Sequence, residues 1–332
     1  MKLQFVVSAY GDKYAGMLLT TVYSIMSSQL SPCTIKVYWQ DISDAIMRPF
    51  MKAYEDRCEF IRTGFALSDD PDTRISMKTL LWEKAVEEAE DRPLVLLDGD
   101  TLVTGDVSRY FEECFDIGFT VKDEQVPINS GVLLVKTPKN SRLFFQKWRE
   151  QTIALLRDPE RYDESIRLCG GIDQMAFVNI IGFKRQTGLY TVTYGVVPLA
   201  VKAFPCSVLN QTRSAPVVPE TLIYHYKGGW RRILTDGGLF TKKRPKKDSF
   251  EMYLLYMKTF LSAVDKIVLK EKVFNIRSMG IFLPFYIASD GHAIFAGYAM
   301  YVIIYRLNKI SIKLSRRIFG KKINANPLNN IF

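Results

Sequence analysis

The sequence predicts an α/β fold: a mostly parallel central sheet flanked by helices, followed by a basic, apolar helical extension at the C-terminus. Three observations carry that reading. Short β-branched or aliphatic runs alternate with segments of helical spacing from Leu3 to Gly182, the pattern of repeated βαβ units. One run, Leu94–Leu97, is apolar throughout, as expected of a strand covered on both faces. The charge divides sharply, with 20 Lys+Arg against 6 Asp+Glu after residue 226 and 25 against 29 before it. A nearly neutral body is therefore followed by a strongly basic section; the expected domain boundary falls within the latter, with a catalytic body over residues 1–245 and an extension over residues 246–332.

In chain order, "LQFVVSA" reads as the first strand and "IKVYW" as the second. Between them Leu18, Val22, Ile25 and Met26 fall near helical spacing. "DAIMRPFMKAYEDRC" reads as a helix interrupted by proline, and "EFIRTG" as a strand. In "SMKTLLWEKAVEEAEDR" the residues Met77, Leu80, Leu81, Lys84 and Val86 mark the predicted buried face, and Pro93 ends the helix. "PLVLLDGD", "DIGFTV" and "SGVLLVK" follow as strands, and "SRLFFQKWREQTIALLR" and "GGIDQMAFVNIIG" as helices.

Composition narrows the class. With 48% hydrophobic and 24% charged residues the chain can bury a full core, which excludes a disordered protein. Five scattered cysteines (Cys33, Cys58, Cys114, Cys169, Cys206) form no C-x-x-C pair, so neither a disulfide framework nor a cysteine metal site is expected. The N-terminus lacks an apolar stretch of signal-peptide length, and a reducing, cytoplasmic setting is the expectation.

The chemistry concentrates at "LLDGDTLV". Asp98 and Asp100 end the apolar strand one residue apart, at the carboxyl edge where open α/β sheets bind ligands. D-G also suits a simple turn. Two carboxylates so close need a cation, a shared proton or open solvent, and hard divalent cations prefer such oxygens. His225 is one of only two histidines, and in "LIYHYK" it could be merely structural. The "KGGWRR" that follows supplies glycines for close backbone approach and cations for phosphate. An imidazole beside two aspartates suits Mn²⁺ better than Mg²⁺, though Mg²⁺ is possible.

"PLVLLDGDTLVTGDV" resembles the DxD segment of nucleotide-sugar glycosyltransferases of the GT-A type, most closely the family-8 group of glycogenins and bacterial lipopolysaccharide galactosyl- and glucosyltransferases. The resemblance extends through most of the first 232 residues. It implies a Rossmann-like GT-A sheet and assigns roles in order. Asp12 and Tyr14 in "VVSAYGDKYAGM" would contact the nucleotide base, and Lys78 would face the sugar-phosphate. Asn129, Ser130 and Gly131 in "INSGVLLVK" would line the donor sugar, and Asp173 and Gln174 in "GGIDQMAFVN" the reacting carbon. In "HYKGGWR", His225 would join Asp98 and Asp100 as third metal ligand, with Gly228 against the diphosphate. Arg231 stands where the family usually has lysine, and the family's Lys-Pro-Trp ending is absent. By themselves Lys78, Asn129 and Asp173 would read as a solvated helix face, a strand entry and an N-cap; their roles come from the resemblance.

What the resemblance implies is metal-dependent transfer of a hexose, glucose or galactose, from a UDP-sugar to an acceptor hydroxyl with retention, in lipopolysaccharide or other surface-glycan synthesis. The expected acceptor is a glycan or glycolipid.

After "TKKRPKKD" the chain turns aromatic and apolar, then basic and amphipathic in "NKISIKLSRRIFGKK". Pro284, Asp290, Gly291 and His292 break the apolar stretch below the roughly 20 residues of a membrane span. Interfacial binding to an anionic membrane surface is expected, ahead of packing on the body or a true span. Nucleic-acid binding through the basic section is an alternative from another class, but no zinc, helix-turn-helix or RNP signal accompanies it and no nucleic acid is expected. A metal-dependent nucleotidyltransferase is a further alternative.

Overall fold

The computed structural model describes residues 2–65, 76–122, 127–169, 171–194, 197–212, 218–228, 231, 234 and 247–270. Strand β1 (Leu3–Tyr10), helix α1 (Ala15–Ser28), β2 (Cys33–Gln40), α2 (Asp44–Tyr54) and β3 (Cys58–Arg62) build the first parallel units. Helix α3 (Lys78–Glu88) leads to β4 (Leu94–Asp98), and β5 (Thr101–Val103) follows after a two-residue turn. Then come β6 (Ile117–Val121), β7 (Ile128–Val135), α4 (Pro138–Leu156), α5 (Pro159–Cys169) and α6 (Ile172–Ile181). A hairpin of β8 (Gly188–Tyr194) and β9 (Val197–Pro205) precedes the single turn α7 (Cys206–Leu209), β10 (Ile223–His225) and α8 (Lys247–Lys270).

Eight strands form one sheet in the order β3-β2-β1-β4-β7-β6-β9-β8. β7 runs against both neighbours and β8 against β9; the other pairings are parallel, so the mostly parallel α/β expectation holds. β4 lies at the centre, and its side chains divide between two cores. Val95 and Leu97 join Phe5, Leu18, Phe50 and Phe260 on one face, while Leu94 and Leu96 join Trp82, Phe145, Trp148 and Phe177 on the other. That two-sided burial explains why β4 carries no polar residue before Asp98.

Two local expectations are corrected. Helix α2 continues through Pro49 instead of breaking there, because Ile46, Met47, Phe50, Ala53 and Tyr54 all bury one face. The buried face of α3 is rotated from the predicted one. Lys78, Leu81, Trp82, Ala85 and Val86 are buried, whereas Lys84 is exposed and Leu80 half-buried. The rotation turns Lys78 inward to meet carboxylates at the sheet's carboxyl edge.

Helix α8 opens the section read from sequence as the C-terminal extension, and it packs on the body. Tyr256, Met257, Phe260, Ala263, Val264 and Ile267 are buried, the Tyr54 hydroxyl donates to Ala263 O at 3.2 Å, and Lys266 Nζ sits 4.5 Å over the Tyr54 ring. No described helix is long and apolar enough to cross a membrane. The basic amphipathic tail expected to meet the membrane, within residues 271–332, lies outside the described residues.

Candidate active site

The Asp98-Gly99-Asp100 turn is fixed from below. The carbonyls of Gly99 and Thr101 both accept from Thr21 Oγ1 on α1, at 3.0 and 2.6 Å. A Cβ at Gly99 would fall 2.5 Å from the backbone oxygen of Ser8, so the residue between the two aspartates has no room for a side chain. β5 then pairs antiparallel with β10, setting His225 opposite Thr101, and Tyr226 N donates to Asp100 O at 2.8 Å. This small ladder brings a histidine 125 positions downstream against the two carboxylates.

His225 Nε2 lies 3.1 Å from Asp100 Oδ1 and 3.5 Å from Asp98 Oδ2. One ligand atom from each of the three residues lies within 4.8 Å of the others. Asp100 is 9% exposed and His225 3%. Burial alone would raise the Asp100 carboxyl, but the charge and hydrogen bond of His225 and the Arg231 guanidinium, 3.7 Å from Oδ2, bring it down to about 2.

Lys78 joins this cluster to a second one. Its Nζ lies 3.1 Å from Asp98 Oδ1, 2.9 Å from Asp173 Oδ2 and 3.4 Å from Ser130 Oγ. Burial would lower the lysine, yet the two aspartates hold it above its ordinary value. Burial would likewise raise Asp173, but the Lys78 ammonium, the Ser130 hydroxyl donating at 2.7 Å and the Gln174 N–H keep it below the usual range. Trp148 Nε1 fixes the backbone here by donating to Asp173 O at 2.7 Å. Asp173 and Gln174, both buried, open α6, whose N-cap is Gly171. Asp173 is thus an inward-facing first-turn residue and not the cap.

Asn129, Ser130 and Gly131 lie on β7, fully buried, and Asn129 Oδ1 accepts from Gly131 N at 3.0 Å. Among the described residues the buried atoms Asp100 Oδ2 and Asn129 Nδ2 have no hydrogen-bond partner. Asp12 and Tyr14 occupy the single 3-10 turn after β1, on the same edge of the sheet, where Asp12 Oδ1 accepts from Ser43 N at 2.6 Å and ties the turn to the start of α2. Gly228 is exposed with φ of 59°, a left-handed conformation that favours glycine.

Sequence reasoning passed over three contributors. Asn210 sits directly behind His225. Lys227 is half-buried, and desolvation, then the charge of Lys122, lowers it. Tyr226 packs its ring 4.8 Å from that of Tyr256 on α8 and donates to Met252 O at 2.8 Å. Lys227 and Tyr226 had a signal, since they flank His225 and Gly228; Asn210 in "CSVLNQ" had none.

No protein-family model matches the sequence, and no curated protein matches it. Solved structures do match the fold. The glycosyltransferase GlyE of Streptococcus pneumoniae TIGR4 superposes with a TM-score of 0.53 at 14% identity, over 83% of this chain and 65% of that one. Its apo form gives 0.52 at 14% identity, over 82% and 64%. The galactosyltransferase LgtC, solved with donor and acceptor sugar analogues, is a weaker likeness: TM-score 0.49, 15% identity, over 78% of this chain and 95% of that one. The chain has the GT-A glycosyltransferase fold.

Within that GT-A fold the Asp98, Asp100 and His225 set fits a divalent metal. Two carboxylates and an imidazole converge, and one buried carboxylate oxygen has no hydrogen-bond donor to satisfy it.

Proposed function

We propose that the protein is a metal-dependent glycosyltransferase that moves a hexose, glucose or galactose, from a UDP-sugar to an acceptor hydroxyl with retention. The observation that carries this reading is the convergence of Asp98, Asp100 and His225 at the carboxyl edge of a GT-A sheet. Mn²⁺ suits two carboxylates and an imidazole, and Mg²⁺ is the second choice. Such an ion, when bound, supplies a Lewis acid for the oxygens of the leaving diphosphate.

The chain's own residues do the rest. Arg231, with 36% of its side chain exposed beside Asp100, can donate two hydrogen bonds to a phosphate, and Gly228 lets backbone approach it closely. The bond from the anomeric carbon to the diphosphate oxygen breaks, the acceptor oxygen bonds to that carbon, and the acceptor's hydroxyl proton passes to the departing diphosphate oxygen. Positive charge grows on the sugar as this happens. Asp173, kept ionised by Lys78 and Ser130, supplies negative charge for it, and Gln174 beside it offers a neutral amide for sugar hydroxyls. Asp12 and Tyr14 would receive the base.

The role in lipopolysaccharide or other surface-glycan synthesis, the glycolipid acceptor and the position on the cytoplasmic face of the membrane belong to the same proposal; the basic tail motivates them. The test is UDP release from a panel of UDP-sugars with Mn²⁺ and with chelator. Metal-dependent hydrolysis of one donor is expected, with Asp100→Ala inactive and folded. No release from any donor, with no UDP binding, overturns the reading. Pyrophosphate release from a nucleoside triphosphate would replace it with a nucleotidyltransferase.

A further inference from the structure

His225 turns one ring nitrogen to the carboxylates and the other to Asn210. Nε2 faces Asp100 and Asp98, while Nδ1 lies 3.0 Å from Asn210 Oδ1. Asn210 has no solvent exposure and follows the single turn α7. Its amide nitrogen donates to Thr120 Oγ1 at 2.9 Å and to the carbonyl of Asn129 at 3.3 Å. The Thr120 hydroxyl spends its own proton on that same carbonyl, at 3.2 Å, so its oxygen is left to accept.

These partners decide which way the amide points. A flipped Asn210 would set its oxygen against the Asn129 carbonyl, acceptor against acceptor. With the nitrogen held on the sheet side, Oδ1 must face the histidine. An amide oxygen only accepts, so Nδ1 carries a proton, and Nε2 is the nitrogen whose lone pair an ion would take in place of the proton that it shares with Asp100. Histidines that bind metals usually donate their second ring N–H in this manner, which sets tautomer and ring plane together.

We propose that Asn210 is a positioning residue of the metal centre: it holds the His225 ring with Nδ1 protonated, so that Nε2 is aimed between Asp98 and Asp100 before an ion arrives. The inference rests on the metal-dependent reading given above. Asn210 itself touches neither metal nor donor. It passes the rigidity of β6 and β7, through Thr120 and Asn129, to a ligand on the separate β10 ladder.

The test measures Mn²⁺ binding by electron paramagnetic resonance on the full chain, with and without UDP. Asn210→Leu, which keeps the size and removes the acceptor, is expected to weaken Mn²⁺ binding about 10- to 100-fold. Asn210→Asp keeps an acceptor for Nδ1–H but sets its second oxygen against the Asn129 carbonyl, so it should restore binding only in part. Long-range ¹H–¹⁵N spectra of the wild-type protein read the tautomer directly; the chain has only two histidines, so a His225→Gln spectrum assigns the signal. Nδ1–H is expected. A folded Asn210→Leu protein that binds Mn²⁺ as wild type does, or a His225 ring protonated on Nε2 alone, overturns the role of Asn210. Wild-type protein that binds no Mn²⁺ under either condition overturns the metal reading instead. Should both variants fail to fold, the wild-type tautomer still decides.

Discussion

Gly131 on β7 lies flush against the imidazole of His225: a Cβ there would fall 2.3 Å from Cε1, 2.6 Å from Nδ1 and 2.9 Å from Asp98 Oδ2. The glycine is therefore a spacer that lets two metal-ligand candidates meet across it. Neither the buried ring, held by Asn210, nor the β7 backbone can yield cheaply. Gly131→Ala is expected to cost about 1–3 kcal/mol in urea unfolding, as overpacking does, and to cut Mn²⁺ affinity far more than that cost implies. A variant with wild-type Mn²⁺ binding would show that the ring moves aside freely.

Lys78 is the cation on which the buried Asp173 and the half-buried Asp98 depend, and its removal should invert a pH dependence. In the wild type Asp173 is held below its ordinary value, so it contributes stability above that value and loses it as pH falls through the lower folded one. In Lys78→Met the ammonium is gone, and burial, opposed now only by the Ser130 hydroxyl and the Gln174 N–H, pushes Asp173 upward. The variant is expected to lose about 3–5 kcal/mol near pH 7, the usual cost of stranding a buried charge. It should recover part of this as pH falls toward the carboxylate range, where the wild type weakens. Parallel acid profiles for the two proteins would rule out the coupling.

Asp100 makes a separate acid-dependent contribution. Its carboxyl sits at about 2 against an ordinary 3.8, so its stabilisation is complete above the ordinary value and disappears as pH falls from there toward 2. That difference corresponds to about 2–3 kcal/mol. With chelator present, Asp100→Asn should show a flatter unfolding profile than wild type between about pH 4 and 2. A profile as steep as the wild type's would mean that Asp100 is not held ionised by His225 and Arg231.

The strands most legible in the sequence are those buried on both faces. β1, β2, β4 and β7 announce themselves as apolar runs, and the aspartates at the end of β4 and the histidine of β10 stand out because their neighbours are so unlike them. The β8–β9 hairpin and α5 did not read clearly. β8 is an edge strand whose Leu189 is 57% exposed, and α5 is a polar helix with Glu160, Arg161, Asp163, Glu164 and Arg167 along it. Lys78 illustrates why a helix face can be misread. Its charge marks it as outward, and only the carboxylates of β4 and α6 make its burial affordable. Asn210 is harder still, since an asparagine after a single helical turn looks like any loop residue until the ring it faces is known.

The two parts of the C-terminal section have separable roles. Helix α8 buttresses the site, because Tyr226, next to His225, donates to Met252 O and stacks edge-on against Tyr256, while Tyr226 N holds the Asp100 carbonyl. Removing residues 247–332 should therefore expose the apolar face of α1 and α2 and abolish both stability and Mn²⁺-dependent UDP release. Removing only residues 271–332 should leave UDP release intact. That shorter deletion takes away Lys313, Arg316, Arg317, Lys321 and Lys322, the cations proposed to meet anionic headgroups. Co-sedimentation with phosphatidylglycerol vesicles should then be lost, and in the full chain it should weaken with added salt. Vesicle binding that survives the shorter deletion would remove the membrane role from the tail. Full activity after the longer one would show that α8 supports nothing at the site.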